Sequence, residues 1–515
     1  MAKLLHNERV KLYKKPSTWV LSGILVALML FSVVFVKIIS LVSESSRYDV
    51  MDWQEVYQQD LASMQMALEN NPGDPYMRAQ IQWYEYLLDE EIPPGDWRND
   101  PSYSYFTALV AEEDAEAALE AAPGDPSLEE QAARYREEAA YYKAVLEQKD
   151  WKGYLHMQIE RLKKGEAIDG SQSAETQKER DVQIEILQMQ IDLGIEPVSS
   201  QNNFYYYGGV EEPSDGWKRS ALSALQTNKL ALLRGEASSE MGGEAMPLTE
   251  SGAAKLEQEN AVLTERLRTN TPPIEEDSFL GMLDSTTGSL NLTTLLIMVL
   301  AGGLIAGEFG TGTVKLLLIT PHRRQKIYWA KAVLLLEMTG IILGAMFVLS
   351  FLSSAIFCGF GGIGDMQVLN LLGRVVRVPA LLVIVVKYLL YMLPVIAYGS
   401  LAFMLSAVTR RSAVAIAVSL LLMYGGQTAM LILIAGSVSL LGAPLPGLKF
   451  LLFANENLSV YLPETSSIFS MVTGQIHLST WDATMNLGFS VAVLLIYTVC
   501  FLWIGRDSFC RRDVK

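Results

Sequence analysis

The chain has 515 residues, half of them hydrophobic, and a formal net charge of −16. The charge is segregated: residues 43–285 hold 48 acidic and 20 basic residues, whereas the rest of the chain holds 9 acidic and 21 basic ones. This composition excludes a single uniform soluble core. It describes an acidic hydrophilic block inserted into a basic, apolar frame.

Six segments are apolar over a length that can cross a bilayer, which takes about 20 residues. In chain order they are residues 17–42, 285–307, 328–357, 380–408, 413–436 and 487–505. The first has too long an apolar run for a signal peptide and no small-residue cleavage site after it, so we interpret it as a retained anchor. The predicted fold is an all-α membrane protein with six transmembrane helices.

Basic residues cluster in four places, at residues 3–15, 315–331, 410–411 and 506–515. All four lie on one side of the membrane if there are six spans, and an excess of lysine and arginine marks the cytoplasmic side. We therefore expect a multi-pass plasma-membrane protein with both termini in the cytoplasm and residues 43–284 outside the cell. The loop 358–379, which carries Arg374 and Arg377, opposes this orientation with a weaker bias.

The acidic block is predicted to be a mostly helical extracellular domain between spans 1 and 2. Good helix formers fill residues 54–70, 76–90, 104–121, 127–150, 175–193, 218–234 and 250–268. A Pro-Gly-Asp-Pro turn recurs within residues 67–75 and 118–126, where it predicts the end of one helix and the start of the next. Residues 236–252 are interpreted as a flexible loop, and residues 437–486 as short interfacial or re-entrant helices on the outer side.

Cysteine and histidine form no pattern that indicates a reactive site. Cys358, Cys500 and Cys510 lie outside the acidic block, so that block would be held by packing and not by disulfides. The four histidines are scattered and lack metal-ligand spacing. We predict no catalytic, cofactor or metal site and no nucleic-acid binding, and the low cysteine content suits a bacterial plasma membrane.

The segment between the second and third predicted spans, residues 308–331, reads EFGTGTVKLLLITPHRRQKIYWAK. Its five basic residues could serve only as a cytoplasmic anchor for the neighbouring spans. That interpretation explains the charge. It does not explain the order of Glu308, the Gly-Thr pairs, the paired leucines, Pro321, Arg324 and Lys331.

This order resembles the permeases of type-2 ATP-binding-cassette (ABC) exporters, over residues 1–42 and 285–515 but not over the acidic block, where that family often has a short loop. The resemblance implies an amphipathic cytoplasmic helix at residues 1–16. It also implies a coupling segment at residues 308–327 that docks into a separate ATPase subunit. The implied coupling residues are Glu308, Pro321, Arg323, Arg324 and Lys331.

The chain contains no G-x-x-x-x-G-K-[ST] phosphate loop, so ATP would have to bind another chain. Glu337 and Lys387 lie within predicted spans, where a charge costs about 2.5–3.5 kcal/mol on insertion scales. Each is a candidate for a translocation path or an internal ion pair. For Lys387 the alternative is a side chain that extends to the lipid headgroups.

The sequence therefore predicts the permease subunit of an ABC exporter, which moves or extracts a substrate such as a peptide or an amphiphile. The expected partners are ABC ATPase subunits, membrane lipid, and a second permease in a homodimer or heterodimer. The alternative is a membrane-anchored extracellular ligand-binding or sensor protein without transport. A secondary transporter is a third possibility, although no pair of broken helices with intramembrane charges is evident in the sequence.

Overall fold

The computed structural model describes most of the chain. The described residues are 2–46, 52–166, 176–199, 216–237, 246–275, 277–310, 312, 323–371, 373–441, 444–462, 478, 482 and 484–511. They divide into two compact units. The membrane unit comprises Met1–Ser40, Thr249–Val262 and Thr271–Lys515, and the acidic unit comprises Leu41–Leu248 and Leu263–Asn270.

Most described residues are helical. In chain order the helices are α1 (Ala2–Tyr13), α2 (Pro16–Ser46), α3 (Trp53–Asn70), α4 (Pro75–Asp89), α5 (Asn99–Ala121), α6 (Pro126–Gln148), α7 (Trp151–Lys164), α8 (Gln177–Leu193), α9 (Gly216–Arg234), α10 (Glu250–Thr269), α11 (Phe279–Ser285), α12 (Leu290–Leu304), α13 (Ala306–Gly310), α14 (Arg324–Cys358), α15 (Ala380–Thr409), α16 (Ser412–Leu441) and α17 (Leu487–Arg511). Short 3-10 helices cover Thr286–Ser289, Pro446–Phe450, Leu452–Asn455 and Leu458–Tyr461.

Five stretches of the described chain are helical, long and apolar enough to cross a membrane. They are Phe279–Leu304, Arg324–Cys358, Ala380–Thr409, Ser412–Val438 and Leu487–Arg511. The chain is therefore a predominantly helical membrane protein. Leu4–Tyr13 and Thr18–Phe31 form a pair bent by 65° that would supply a sixth span only if counted together, so the sixth span stays a prediction.

Two antiparallel hairpins add a little β-structure to the predicted all-α fold. Strands β1 (Glu236–Ala237) and β2 (Met246–Pro247) pair within the segment predicted as a flexible loop. Strands β3 (Met366–Leu371) and β4 (Arg374–Pro379) pair within the predicted loop 358–379. The second hairpin forms because β4 is rich in valine, which favours strands, and because Gly373 adopts the positive φ that the turn needs.

Helix α15 is the centre of the membrane unit, packed against α12, α14, α16 and α17. Glycines permit the close approaches between these helices, as small residues do in membrane bundles. A Cβ atom at Gly399 of α15 would lie 2.9 Å from Ile297 of α12, and one at Gly302 of α12 would lie 2.6 Å from Ile416 of α16.

Several helices of the acidic unit begin at side-chain caps. The recurring Pro-Gly-Asp-Pro signal is used in the same way twice: Asp74 caps the start of α4 and Asp125 caps the start of α6. The predicted helix 127–150 is α6, which ends at Gln148 because Lys149 has a positive φ; Asp150 then caps α7, which was not predicted. Aromatic side chains such as Trp83 form one of the unit's cores.

Candidate functional site

The segment that resembles a coupling helix begins on the short helix α13 and ends on the long helix α14. Helix α13 carries Glu308 and directly follows α12. Arg323 is the extended residue before α14, so α14 begins with Arg324 and carries Lys331 just beyond its second turn. Residue 311 and residues 313–322, including Pro321, lie outside the described part of the chain.

Four charged side chains from three helices meet in what we call the ionic cluster: Glu8, Lys11, Glu308 and Lys331. Lys331 Nζ lies 2.6 Å from Glu8 Oε2 and 2.9 Å from Glu308 Oε1, and it also donates to the carbonyl oxygen of Leu304 at 3.1 Å. Lys11 Nζ lies 3.0 Å from Glu8 Oε1 and 3.3 Å from Glu308 Oε1. The cluster thus ties α1, α13 and α14 to one another.

Because the ionic cluster is buried, each of its charges needs an opposite charge or a hydrogen-bond partner. Lys331 is 1% exposed, and its ammonium group places all three of its donors on oxygen atoms. Burial acts to raise the pKa of Glu8, but the charge and hydrogen bond of Lys331, together with those of Lys11, lower it below its ordinary value. Glu8 is therefore held as a carboxylate opposite a buried ammonium group.

A second ion pair joins α1 to α14 one to two turns further along. Arg9 Nε lies 2.8 Å from Glu337 Oε1, and both side chains are partly exposed. Of the two alternatives that the sequence left open for Glu337, the geometry is that of an ion pair within the membrane unit. Nothing in this contact identifies Glu337 with a translocation path.

The end of α15 lies against the same region. Ser406 Oγ donates to the carbonyl oxygen of Gly302 at 2.7 Å and accepts from the Ala306 N–H at 2.8 Å, so it bridges the break between α12 and α13. The Arg410 guanidinium lies 4.9 Å from the centre of the Phe309 ring. Of the predicted coupling residues, the structure brings Glu308 and Lys331 together. Arg323 is exposed and Arg324 is half-buried, and neither belongs to the ionic cluster.

Lys387 lies in a separate polar group. Its Nζ atom donates to both carboxylate oxygens of Asp284, at 2.9 and 2.8 Å, and both side chains are almost fully buried. The adjacent Tyr388 hydroxyl contacts Thr286 at 2.9 Å and Ser350 at 3.1 Å. The geometry at Lys387 is that of an internal ion pair, and the side chain does not extend to the headgroups.

Sequence reasoning missed the partners Glu8, Asp284 and Ser406. Asp284 fell at the end of the predicted acidic block and was counted there, although α11 carries it into the span Phe279–Leu304. Glu8 is an isolated acid in a basic N-terminal segment, which was a usable signal because a lone acid among lysines often has a specific partner.

Comparison with known proteins agrees with a membrane protein. A family described as "Protein of unknown function (DUF2705)" matches residues 270–515. The chain is 31% identical over 225 residues to the uncharacterised protein YhcI of Bacillus subtilis (strain 168), a match that covers 43% of this chain and 65% of YhcI. It is 29% identical over 241 residues to the uncharacterised membrane protein YdbK of the same organism, covering 47% of this chain and 85% of YdbK. No solved structure matches.

Proposed function

We propose that this chain is the permease subunit of an ABC exporter, with six membrane spans and the acidic unit outside the cell. The observation that carries the proposal is the order of residues 308–331 combined with the ion pair that joins its two ends. Glu308 and Lys331 are 23 positions apart, yet Lys331 Nζ lies 2.9 Å from Glu308 Oε1. The two ends of the segment 308–331 are therefore fastened together.

This arrangement suits the transmission of force. The ionic cluster joins α1, α13 and α14, so a push on the segment between Glu308 and Arg324 would move these helices as one body. Packed elements respond to such a push by rigid-body shifts and not by gradual deformation. Arg323, exposed just before α14, is available to an acidic groove on a partner, where charge would set the orientation of docking more than its affinity.

The energy for transport would come from ATP hydrolysis on a partner chain, because this sequence has no phosphate loop. The proposed assembly is two permease chains, identical or related, bound to two ABC ATPase subunits at the cytoplasmic face. The basic segments at residues 3–15, 315–331, 410–411 and 506–515 support that orientation. The cargo would be a peptide or an amphiphile.

Co-purification tests the proposal. Affinity-tagged wild-type chain, extracted from its native membrane, should carry an ABC ATPase and a vanadate-sensitive ATPase activity. The double variant Arg323→Glu/Arg324→Glu should lose both while its size-exclusion profile stays normal. The matched control is Arg374→Glu/Arg377→Glu, which reverses two charges on the exposed edge of β4 and should keep the ATPase.

Two results would refute the proposal that this chain is an exporter subunit coupled through residues 308–331. If the wild-type chain carries no ATPase, the alternative of a membrane-anchored sensor takes its place. If the ATPase binds equally well to wild type and to Arg323→Glu/Arg324→Glu, the coupling role of this segment is wrong.

A further inference from the structure

Residues 446–461, in the connection between α16 and α17, pack into the helix bundle. The 3-10 helices Leu452–Asn455 and Leu458–Tyr461 pack against α15, α16 and α17. The Phe453 ring lies directly on Gly426, so closely that a Cβ at that position would overlap it. Non-helical backbone at membrane depth is tolerated only where it is buried in protein or lines a cavity.

This entering segment places the carboxyl group of Glu456 near the middle of the spanning helices. Glu456 accepts a hydrogen bond from the hydroxyl of Tyr398, and the Gln427 side chain is within hydrogen-bonding reach of the same carboxyl group. Tyr398 is about 17 Å from the Thr409 end of α15 and Gln427 is about 22 Å from the Ser412 end of α16, at 1.5 Å per residue. The hydrocarbon core of a bilayer is about 30 Å thick, so both lie close to its centre.

No lysine or arginine forms an ion pair with Glu456 in the part of the chain that the structure describes. This distinguishes Glu456 from Asp284, whose carboxylate faces Lys387. The residue is partly exposed, although its carboxyl group is largely buried. A carboxyl group at this depth that lacks a cation is costly and usually marks a functional position.

Further polar and aromatic side chains lie on the neighbouring turns of the same helices. Tyr391 of α15 is hydrogen-bonded to Asn291 of α12, and its electrostatic neighbours include Glu456 and Tyr424 of α16. Asn291 and Tyr424 are exposed on the membrane unit. Lipid tails offer no hydrogen-bond partners to exposed side chains such as Asn291 and Tyr424. This surface therefore suits a ligand that is not purely hydrocarbon.

We propose that Glu456 binds the positive charge of a hydrophobic cation, with the tyrosines around it contacting the apolar body of the same molecule. A carboxylate supplies the missing countercharge, and tyrosine faces attract quaternary cations. One part of this proposal depends on the proposed function, namely that the bound cation is the exported cargo. The binding of the cation to Glu456 does not depend on it. It narrows the substrate class from amphiphiles in general to cationic ones.

The charge state of Glu456 gives the proposal a pH dependence. Burial raises the pKa of Glu456 to about 7. Tyr391 and Tyr398 on α15 are the titratable neighbours of Glu456, and Tyr424 on α16 lies beside Tyr391. The Glu456 carboxyl group therefore changes charge between pH 6 and 8. The ionised fraction, and with it cation affinity, should fall about tenfold between pH 8 and pH 6.

Equilibrium binding of tetraphenylphosphonium to the full chain in lipid nanodiscs tests the proposal, with empty nanodiscs subtracted. Wild type should bind saturably at pH 8 and about tenfold more weakly at pH 6. Glu456→Gln should bind at least tenfold more weakly than wild type at pH 8. Tetraphenylborate, which has the same shape and the opposite charge, should show no saturable site. Asp482→Asn is the matched control, because it removes an acid of the same connection that already pairs with Lys449 at 3.0 Å.

Equal affinity in wild type and Glu456→Gln, equal binding of the borate, or no saturable binding of the phosphonium would each overturn the proposal. If Glu456→Gln does not fold, Tyr398→Phe replaces it. That variant keeps the carboxyl group but removes its hydroxyl donor, so the pH midpoint of binding should move upward by a measurable amount; an unchanged midpoint is the contrary result. Nanodisc binding needs no ATPase, so failure here is distinct from failure of the exporter proposal.

Discussion

Replacing Lys331 with methionine should release α1 from the rest of the membrane unit. The substitution keeps an unbranched apolar side chain but removes the ammonium group that contacts Glu8 at 2.6 Å and Glu308 at 2.9 Å. Removing one partner of a buried pair costs about 3–5 kcal/mol, because the opposite charge stays buried. Lys11 remains beside both carboxylates, but its side chain is 53% exposed and compensates only in part. We expect a loss of about 3 kcal/mol.

Hydrogen exchange of residues 2–13, followed by mass spectrometry, measures the local opening of α1. A loss of about 3 kcal/mol corresponds to exchange faster by about 100-fold. The control is Arg9→Gln, which breaks the partly exposed pair with Glu337 and should cost under about 1 kcal/mol. The triple variant Glu8→Gln/Glu308→Gln/Lys331→Met leaves no buried charge and should recover much of the protection. Equal acceleration in Lys331→Met and Arg9→Gln, or a triple variant as unprotected as the single one, would refute this reasoning.

Three further predictions concern stability, each read from the apparent Tm of the purified chain. Lys387→Met should lower Tm by several degrees, because it leaves the Asp284 carboxylate buried without its cation. The double variant Asp284→Asn/Lys387→Met should recover most of that loss. A double variant that recovers nothing would contradict a role for the ion pair in stability. Gly426→Ala should cost about 1–3 kcal/mol through overpacking, whereas Gly425→Ala, which meets only an ordinary contact, should be neutral. Burial raises the pKa of Glu456 from 4.5 to about 7. The stability that protonated Glu456 contributes is present below pH 4.5 and is lost as pH rises through 7. Glu456→Gln should therefore raise Tm at pH 8.5 but not at pH 5.

The helices could be predicted from the sequence because their signals are local. Apolar runs of sufficient length marked each of the five spanning helices, and Asp-Pro pairs marked the starts of α4 and α6. The helix α7 was missed because the predicted helix 127–150 took in Lys149 and Asp150, which are the left-handed end of α6 and the N-cap of α7. The β3–β4 hairpin was missed because Arg374 and Arg377 were weighed as charges, and the valines beside them were not interpreted as a strand.

The partners of the charged residues could not be predicted, because they are remote in sequence. Glu308 and Lys331 were singled out by their order, but Glu8 contacts Lys331 across 323 positions and Asp284 contacts Lys387 across 103. Glu456 was missed for a related reason. The apolar pieces of residues 437–486 are too short to span a membrane, so only the packed structure places the Glu456 carboxyl group beside Tyr398.

Sidedness is the central claim, and cysteine accessibility tests it most directly. Single cysteines introduced as Arg323→Cys and Glu130→Cys, in a background in which Cys358, Cys500 and Cys510 are replaced by serine, can be probed with a membrane-impermeant maleimide. Intact cells should label Glu130→Cys and spare Arg323→Cys, which should react only after the membrane is opened. Labelling of Arg323→Cys from outside, with Glu130→Cys protected, would place the proposed coupling segment on the side without ATP and contradict the account.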